Sequence, residues 1–277
     1  MQADSVQTEG VQAVSAAPSG TSIVGRMHPL GWVALGLVVI ALVFHTVFST
    51  KYLVGNLSIG HWVALLLTVA ISTQTNLLDR IRRSIDSISS VTKVLAWILV
   101  WIVFIVQFFN VATRYGNGLV ETDIYFGETV SVAWQAFALI AILGLNYGVR
   151  DGVNPRIDFW WADFSNKTKA TLDFTIHVLL LLPFTFMAIR LLNGYATTAL
   201  GRTRSGEWPS GWRVWETWEG APDAGSLAVG PIKALLLVAF TLFALQVISE
   251  VIKTGFVLVG REDLGAMSHS DAPMRIE

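Results

Sequence analysis

Asp173 and His177 stand four residues apart at the start of an apolar run, the spacing that brings an acid and an imidazole together on one helical face. In a proton-conducting protein such a pair is a relay. It is equally a satisfied pair near the polar end of the run, and Asp173 is only one turn in. Ser90 and Lys93 form a Ser-x-x-Lys string with no companion motif. The chain has no Gly-x-x-x-x-Gly-Lys-Ser/Thr loop to cradle phosphates, no His-Glu-x-x-His helix and no Gly-x-Ser-x-Gly elbow. It has no cysteine, which excludes disulfides, thiolate nucleophiles, zinc–sulfur sites and iron–sulfur clusters. A membrane haem needs two axial ligands at one depth on facing helices. His45 and His177 belong to opposite halves of their runs, and His61 opens a run. The residues therefore point to no catalytic group, cofactor or metal, and the chain is not read as an enzyme.

Other polar groups inside apolar runs include Gln107 and Asn110, then Gln246 and Glu250. Polar residues in such runs are functional candidates by default. Their types suit hydrogen bonds between helices.

The elements that position these residues follow from composition. Hydrophobic types make up 53% of the 277 residues and charged types 14%. Soluble domains carry about 25% charged residues. A formal net charge of -1 suggests no nucleic-acid partner. A bilayer core takes about 20 apolar residues in a helix. Six runs approach that length: Leu30–Phe48, His61–Leu78, Val94–Ala112, Val130–Val149, Leu172–Leu192 and Ile232–Val259. The second is the weakest, because Ser72, Thr73, Gln74, Thr75 and Asn76 close it. Residues 1–28 are small and polar and read as a disordered tail, with no secretory signal pattern. Residues 264–277 read as a second tail.

Orientation follows Lys and Arg in the short connections. Arg80, Arg82, Arg83 and Lys93 follow the second run, Arg150, Arg156, Lys167 and Lys169 the fourth, and Lys253, Arg261 and Arg275 the sixth. Placing all three groups inside gives six crossings with both termini cytoplasmic. Leu77, Leu78, Ile81, Ile85, Ile88 and Val91 recur at helical spacing among arginines and serines, which predicts an amphipathic helix on the cytoplasmic surface. Trp208, Trp212, Trp215 and Trp218 recur at steps of four, three and three, which predicts four indoles on one helical face. Such a face anchors in the outer lipid interface or docks a partner protein.

From about Val94 to Asp263 the order of short motifs resembles the small-permease (Q-type) subunit of tripartite ATP-independent periplasmic (TRAP) transporters. The carrying pieces begin with Val103-Phe-Ile-Val-Gln107-Phe-Phe-Asn-Val-Ala-Thr-Arg114-Tyr115 and Glu128 before the span with Trp134. They continue with Leu143-Gly144, Tyr147, Arg150 and Pro155-Arg156-Ile157-Asp158. Gly225-Ser226-Leu227 and Pro231-Ile232-Lys233 then lead into a last span with Gln246 and Glu250. The later part is similar to the branch labelled for mannitol or chloroaromatic compounds. Family members often carry a histidine where this chain has Asn154-Pro155.

The resemblance implies an all-α, polytopic fold: a four-span small-permease domain at 93–263, preceded by an extra two-span hairpin and surface helix at 29–92. It implies a bacterial inner-membrane subunit of a sodium-coupled solute uptake system, without cofactors. Its partners would be a large permease (M-type) subunit, a periplasmic solute-binding protein and membrane lipid. Arg114, Glu128, Arg150, Arg156, Asp158, Gln246 and Glu250 are then candidates for partner contact or local structure. The competing readings are a membrane anchor for a redox or other enzyme complex, and a stand-alone channel or carrier.

Overall fold

The structure, a computed structural model, describes residues 27–47, 59–120, 124, 128–152, 161, 163–222 and 226–265. The described residues form helices and connecting turns, with no strand among them. Helices α1 (Pro29–Val47) and α2 (Ile59–Thr73) come first. They are followed by α3 (Thr75–Val120), α4 (Thr129–Asp151), α5 (Asn166–Ile176), α6 (Leu182–Ala199), the short α7 (Val214–Thr217) and α8 (Gly230–Leu258). A π-turn, His177–Leu181, joins α5 to α6 in one continuous rod.

Among the described residues, four helical stretches are long and apolar enough to cross a membrane: α3, α4, the α5–α6 rod and α8. These are the four spans expected of the 93–263 segment. Ahead of them two shorter apolar helices, α1 and α2, pack along each other. At 15 residues, α2 is about 22 Å long, short of the roughly 30 Å hydrocarbon core. Its polar end is satisfied within the helix: the hydroxyls of Thr68, Ser72 and Thr73 donate to carbonyls four residues earlier. That back-bonding bends helices, and the chain breaks at Gln74, the one residue between α2 and α3.

Spans consecutive in the chain alternate in direction, so α2 and α4 run parallel to α8. Gly31 at the start of α1 lies against Ser72 at the end of α2, and Ile71 lies against Gly255 near the end of α8. Ala96, Leu143 and Ala239 then pack together where α3, α4 and α8 cross. The start of α1 and the end of α8 thus share one end of the bundle, called proximal here; the other end is distal. Helix α8 is the axis. Phe243, Val247, Val251, Ile252 and Phe256 are buried along it against α2, the α5–α6 rod and the start of α3. The periphery is inside out relative to a soluble protein. Trp97, Trp101, Phe104 and Phe108 of α3 all point outward, as lipid-facing side chains do.

Two sequence expectations change here. The amphipathic stretch is not a separate surface helix but the first part of α3, an unbroken helix of 46 residues and about 69 Å. It contains no proline, glycine or π-turn before Gly116 at which to fold onto a surface. Its faces are also divided differently: Leu78 and Ile85 are buried as expected and Arg80 and Arg83 are exposed, but part of the polar side turns inward. Asp79, Arg82 and Ser89 are buried in the protein, while Leu77, Ile81, Ile88 and Val91 are exposed. The second change concerns Gln107, expected to bond to another helix; it is exposed on α3.

The fifth span is interrupted by chemistry readable in the chain. Pro183 has no N–H, and its ring crowds the carbonyl four residues back. The helix widens before it, so that the Leu182 N–H reaches back five residues to the His177 carbonyl. Gly60 fits into this region. A Cβ on it would stand 2.5 Å from the Pro183 Cα and 2.9 Å from the Leu182 carbonyl oxygen.

Candidate functional site

Where α3, α4 and α8 meet in the proximal half, the bundle holds a continuous polar junction. Asp86 of α3 is its hub. Its Oδ1 accepts from Ser249 Oγ at 2.8 Å and from Gln246 Nε2 at 3.3 Å, and pairs with Lys253 Nζ at 3.2 Å. Its Oδ2 pairs with an Arg82 Nη at 3.3 Å. Arg82 also donates to Asp79 at 2.8 Å, and Asp79 takes a second arginine, Arg83, at 2.8 Å. On α8, Lys253 Nζ donates to Glu250 Oε1 at 2.7 Å, and Gln246 Nε2 donates to the same oxygen at 2.8 Å. Helical spacing explains the set: Asp79, Arg82 and Asp86 share one face of α3, and Gln246, Ser249, Glu250 and Lys253 one face of α8.

Charge balances within the junction. Asp79, Asp86 and Glu250 face Arg82, Arg83 and Lys253, three acids against three bases. Buried charges are tolerated when paired and hydrogen-bonded. One turn further in, neutral groups take over. Ser89 Oγ lies 3.0 Å from Asn146 Oδ1 and hydrogen-bonds Gln246 Oε1. A serine hydroxyl carries one proton. Turning the Asn146 amide over lets its Nδ2, otherwise buried without an acceptor, donate to Ser89 while Ser89 donates to Gln246. The chain Asn146–Ser89–Gln246 then has consistent polarity across three helices.

A second cluster ties α3 to the end of α4. An Arg150 Nη donates to Ser90 Oγ at 2.6 Å, and Lys93 Nζ pairs with Asp151 at 3.0 Å.

The residues expected from sequence divide three ways. Gln246 and Glu250 belong to the junction, and Arg150 lies beside it. Arg114 is exposed near the distal end of α3, and Glu128 opens α4 without a side-chain cap. Arg156 and Asp158 lie outside the described residues. Asp86, Ser89, Asn146, Ser249 and Lys253 were not singled out. One signal could have found them: Asp86, Ser89 and Lys93 fall at steps of three and four, as do Gln246, Glu250 and Lys253. Read as facing polar stripes, they pair.

The four tryptophans do not share a helical face. Between Trp208 and Trp218 only Val214–Thr217 is helical, and Pro209 and Gly211 separate Trp208 from Trp212. Gly201, Gly206 and Gly211 all have positive φ, which folds the loop through tight turns instead. The Trp208 and Trp212 rings meet at 4.5 Å between centroids, tilted by 51°, and Trp212 Nε1 donates to the Leu200 carbonyl at 3.0 Å. Trp215 is the most exposed of the four. Trp218 sits past the helix end with extended backbone, ψ 154.

A bundle of apolar helices with lipid-facing aromatics outside and a satisfied polar seam inside defines a multi-pass helical membrane protein. The family model for the DctQ component of tripartite ATP-independent periplasmic transporters matches residues 103–254, more than half of the chain. The chain belongs to that family, whose members are transporter components and not enzymes. No curated protein and no solved structure matches the chain. The match begins within α3. It leaves α1, α2, Asp86 and Ser89 before it and includes Asn146, Gln246, Glu250 and Lys253.

Proposed function

We propose that this chain is the small inner-membrane subunit that braces the large permease of a binding-protein-dependent, ion-gradient-driven solute uptake system. The family works with a large permease and a periplasmic binding protein, and on this reading those are the partners here. The observation that carries the bracing role is the junction itself. Its charges and amides are spent on one another across α3, α4 and α8, the economy of a rigid strut. Solute and coupling-ion binding then belong to the large subunit.

In this reading the proximal end is cytoplasmic, so both termini are inside and the Trp208–Trp218 loop is periplasmic. Residues 29–92 add a hairpin and the first part of α3 to the family region. Arg150 serves local structure through Ser90, while exposed Arg114 and the uncapped Glu128 are offered to the large subunit. Arg156 and Asp158 remain candidates for the same partner. The test is reconstitution in liposomes under a sodium gradient, with and without the large permease and binding protein. Uptake should require this chain together with both partners. Uptake by this chain alone, or full uptake without it, overturns the proposal.

A further inference from the structure

At the distal end α4, α6, α8 and the segment before α8 line an open cavity of about 500 Å³. Its mouth carries one acid and one base. Lys233 Nζ hydrogen-bonds the Glu219 carboxylate and lies 4.3 Å from the centre of the Tyr195 ring. Trp134 forms another wall, and Ala138 and Leu236 give an apolar floor.

The acid is held rigidly. The Glu219 N–H donates to the Ala199 carbonyl at 2.7 Å, and its carbonyl accepts from the N–H groups of Val229 and Gly230, each at 3.1 Å. Its side chain is 47% exposed, so the second carboxylate oxygen is open to a ligand. The Lys233 ammonium has three protons; Glu219 takes one, Tyr195 lies against a second, and a third is left for a ligand. The cavity therefore offers an acceptor and a donor side by side, above an apolar floor, within helices that cross a membrane. Trp134 and Tyr195 add the amphipathic aromatics typical of the water–lipid boundary.

We infer that this cavity binds a phospholipid with a primary-amine zwitterionic headgroup, phosphatidylethanolamine in kind. The phosphate accepts from Lys233, the ammonium donates to Glu219, and the first acyl methylenes cover Ala138 and Leu236. A phosphatidylglycerol lacks the ammonium. A phosphatidylcholine has one that cannot donate a hydrogen bond. The site therefore ranks headgroups by chemistry and not by charge alone.

The full chain is purified in detergent and titrated with phosphatidylethanolamine, phosphatidylglycerol and phosphatidylcholine of matched acyl chains, with bound lipid counted by native mass spectrometry. Phosphatidylethanolamine should be retained about tenfold over the other two, the equivalent of one charge-assisted hydrogen bond. Glu219→Gln should erase that preference, and Lys233→Gln should lower retention of all three phospholipids. Ala138→Leu fills the floor while leaving both charges in place, and it too should lower retention. Equal retention of the three lipids by the native chain overturns the inference whether or not the charge variants fold. So does native-level retention in Ala138→Leu eluting as a single folded species. Water-soluble glycerophosphoethanolamine should compete poorly; competition equal to that of the whole lipid overturns the lipid assignment in favour of a soluble zwitterion.

Discussion

The Asp86 carboxylate and the Lys253 ammonium meet at 3.2 Å across the α3–α8 contact, with side chains 17% and 7% exposed. One partner lies before the stretch matched by the family model and the other within it. The pair therefore ties the stretch before the match to the last helix within it. Ser249 and Gln246 complete the hold by donating to the same carboxylate oxygen.

Removing Lys253 alone should cost more than removing it together with Asp86, because only the single variant leaves two carboxylates facing each other. Lys253→Met leaves Asp86 and Glu250 facing each other without a cation from α8, and breaking a buried pair in this way costs about 3–5 kcal/mol. Asp86→Asn leaves Lys253 paired with Glu250 and should cost less. In the double variant Asp86→Asn with Lys253→Met, at least half of the loss should return. Unfolding in mixed micelles measures the cycle; strictly additive losses would show that the two residues act independently.

The close approach of α2 to the π-turn gives a steric prediction. A methyl group at Gly60 meets the backbone of Leu182 and Pro183 within 3 Å, which no rotamer can relieve. Gly60→Ala should push α2 off the α5–α6 rod and cost about 1–3 kcal/mol, as overpacking does. Gly36 of α1 has open space where its Cβ would be. Gly36→Ala should be neutral or slightly stabilising, because alanine favours the helix. Thermal unfolding of the two variants side by side separates contact from helix propensity.

Apolar run length made the helices readable from the chain, since lipid demands about 20 apolar residues whatever the tertiary structure. Pairing was harder to read. Arg82 and Asp86 look like the wet side of an amphipathic helix because a helical wheel does not say whether water or another polar stripe faces it. Only packing against Ser249 and Lys253 turns that side inward. The elbow at Gln74 was blurred because the hydroxyls of Ser72 and Thr73 bond locally and leave no long-range sign. The tryptophan spacing misled for a different reason: a period near 3.5 also arises in a turn-rich loop, and Pro209 and Gly211 were the stronger signal.

Topology can be measured directly, because the chain has no native cysteine. Single cysteines at positions 10 and 270 should resist a membrane-impermeant maleimide in intact cells and react after permeabilisation. A cysteine replacing Trp215 should react in intact cells. Labelling of position 10 from outside would mean that the 15-residue α2 does not complete a crossing.

The tryptophan loop separates anchoring from folding within one short segment. Trp212 is tied into the fold through its Nε1 hydrogen bond to the Leu200 carbonyl, which also accepts from Thr217 Oγ1 at 3.0 Å. Trp212→Phe keeps an aromatic ring against Trp208 and removes one donor from a shared acceptor, so it should cost about 1 kcal/mol. Trp215 is 62% exposed, and its removal takes away little internal contact. Trp215→Ala should leave unfolding in detergent unchanged while reducing the quenching of indole fluorescence by brominated lipids in bilayers. An indole buried in the interface contributes on the order of 1–2 kcal/mol by apolar area, enough to set the depth of the loop but not to hold the bundle together. If these rings instead dock a soluble partner, Trp215→Ala should weaken that partner's binding in detergent, where no bilayer exists. Unchanged binding there, with altered quenching in membranes, is the outcome expected of an interface anchor; a large loss of partner affinity in detergent would decide for the docking surface.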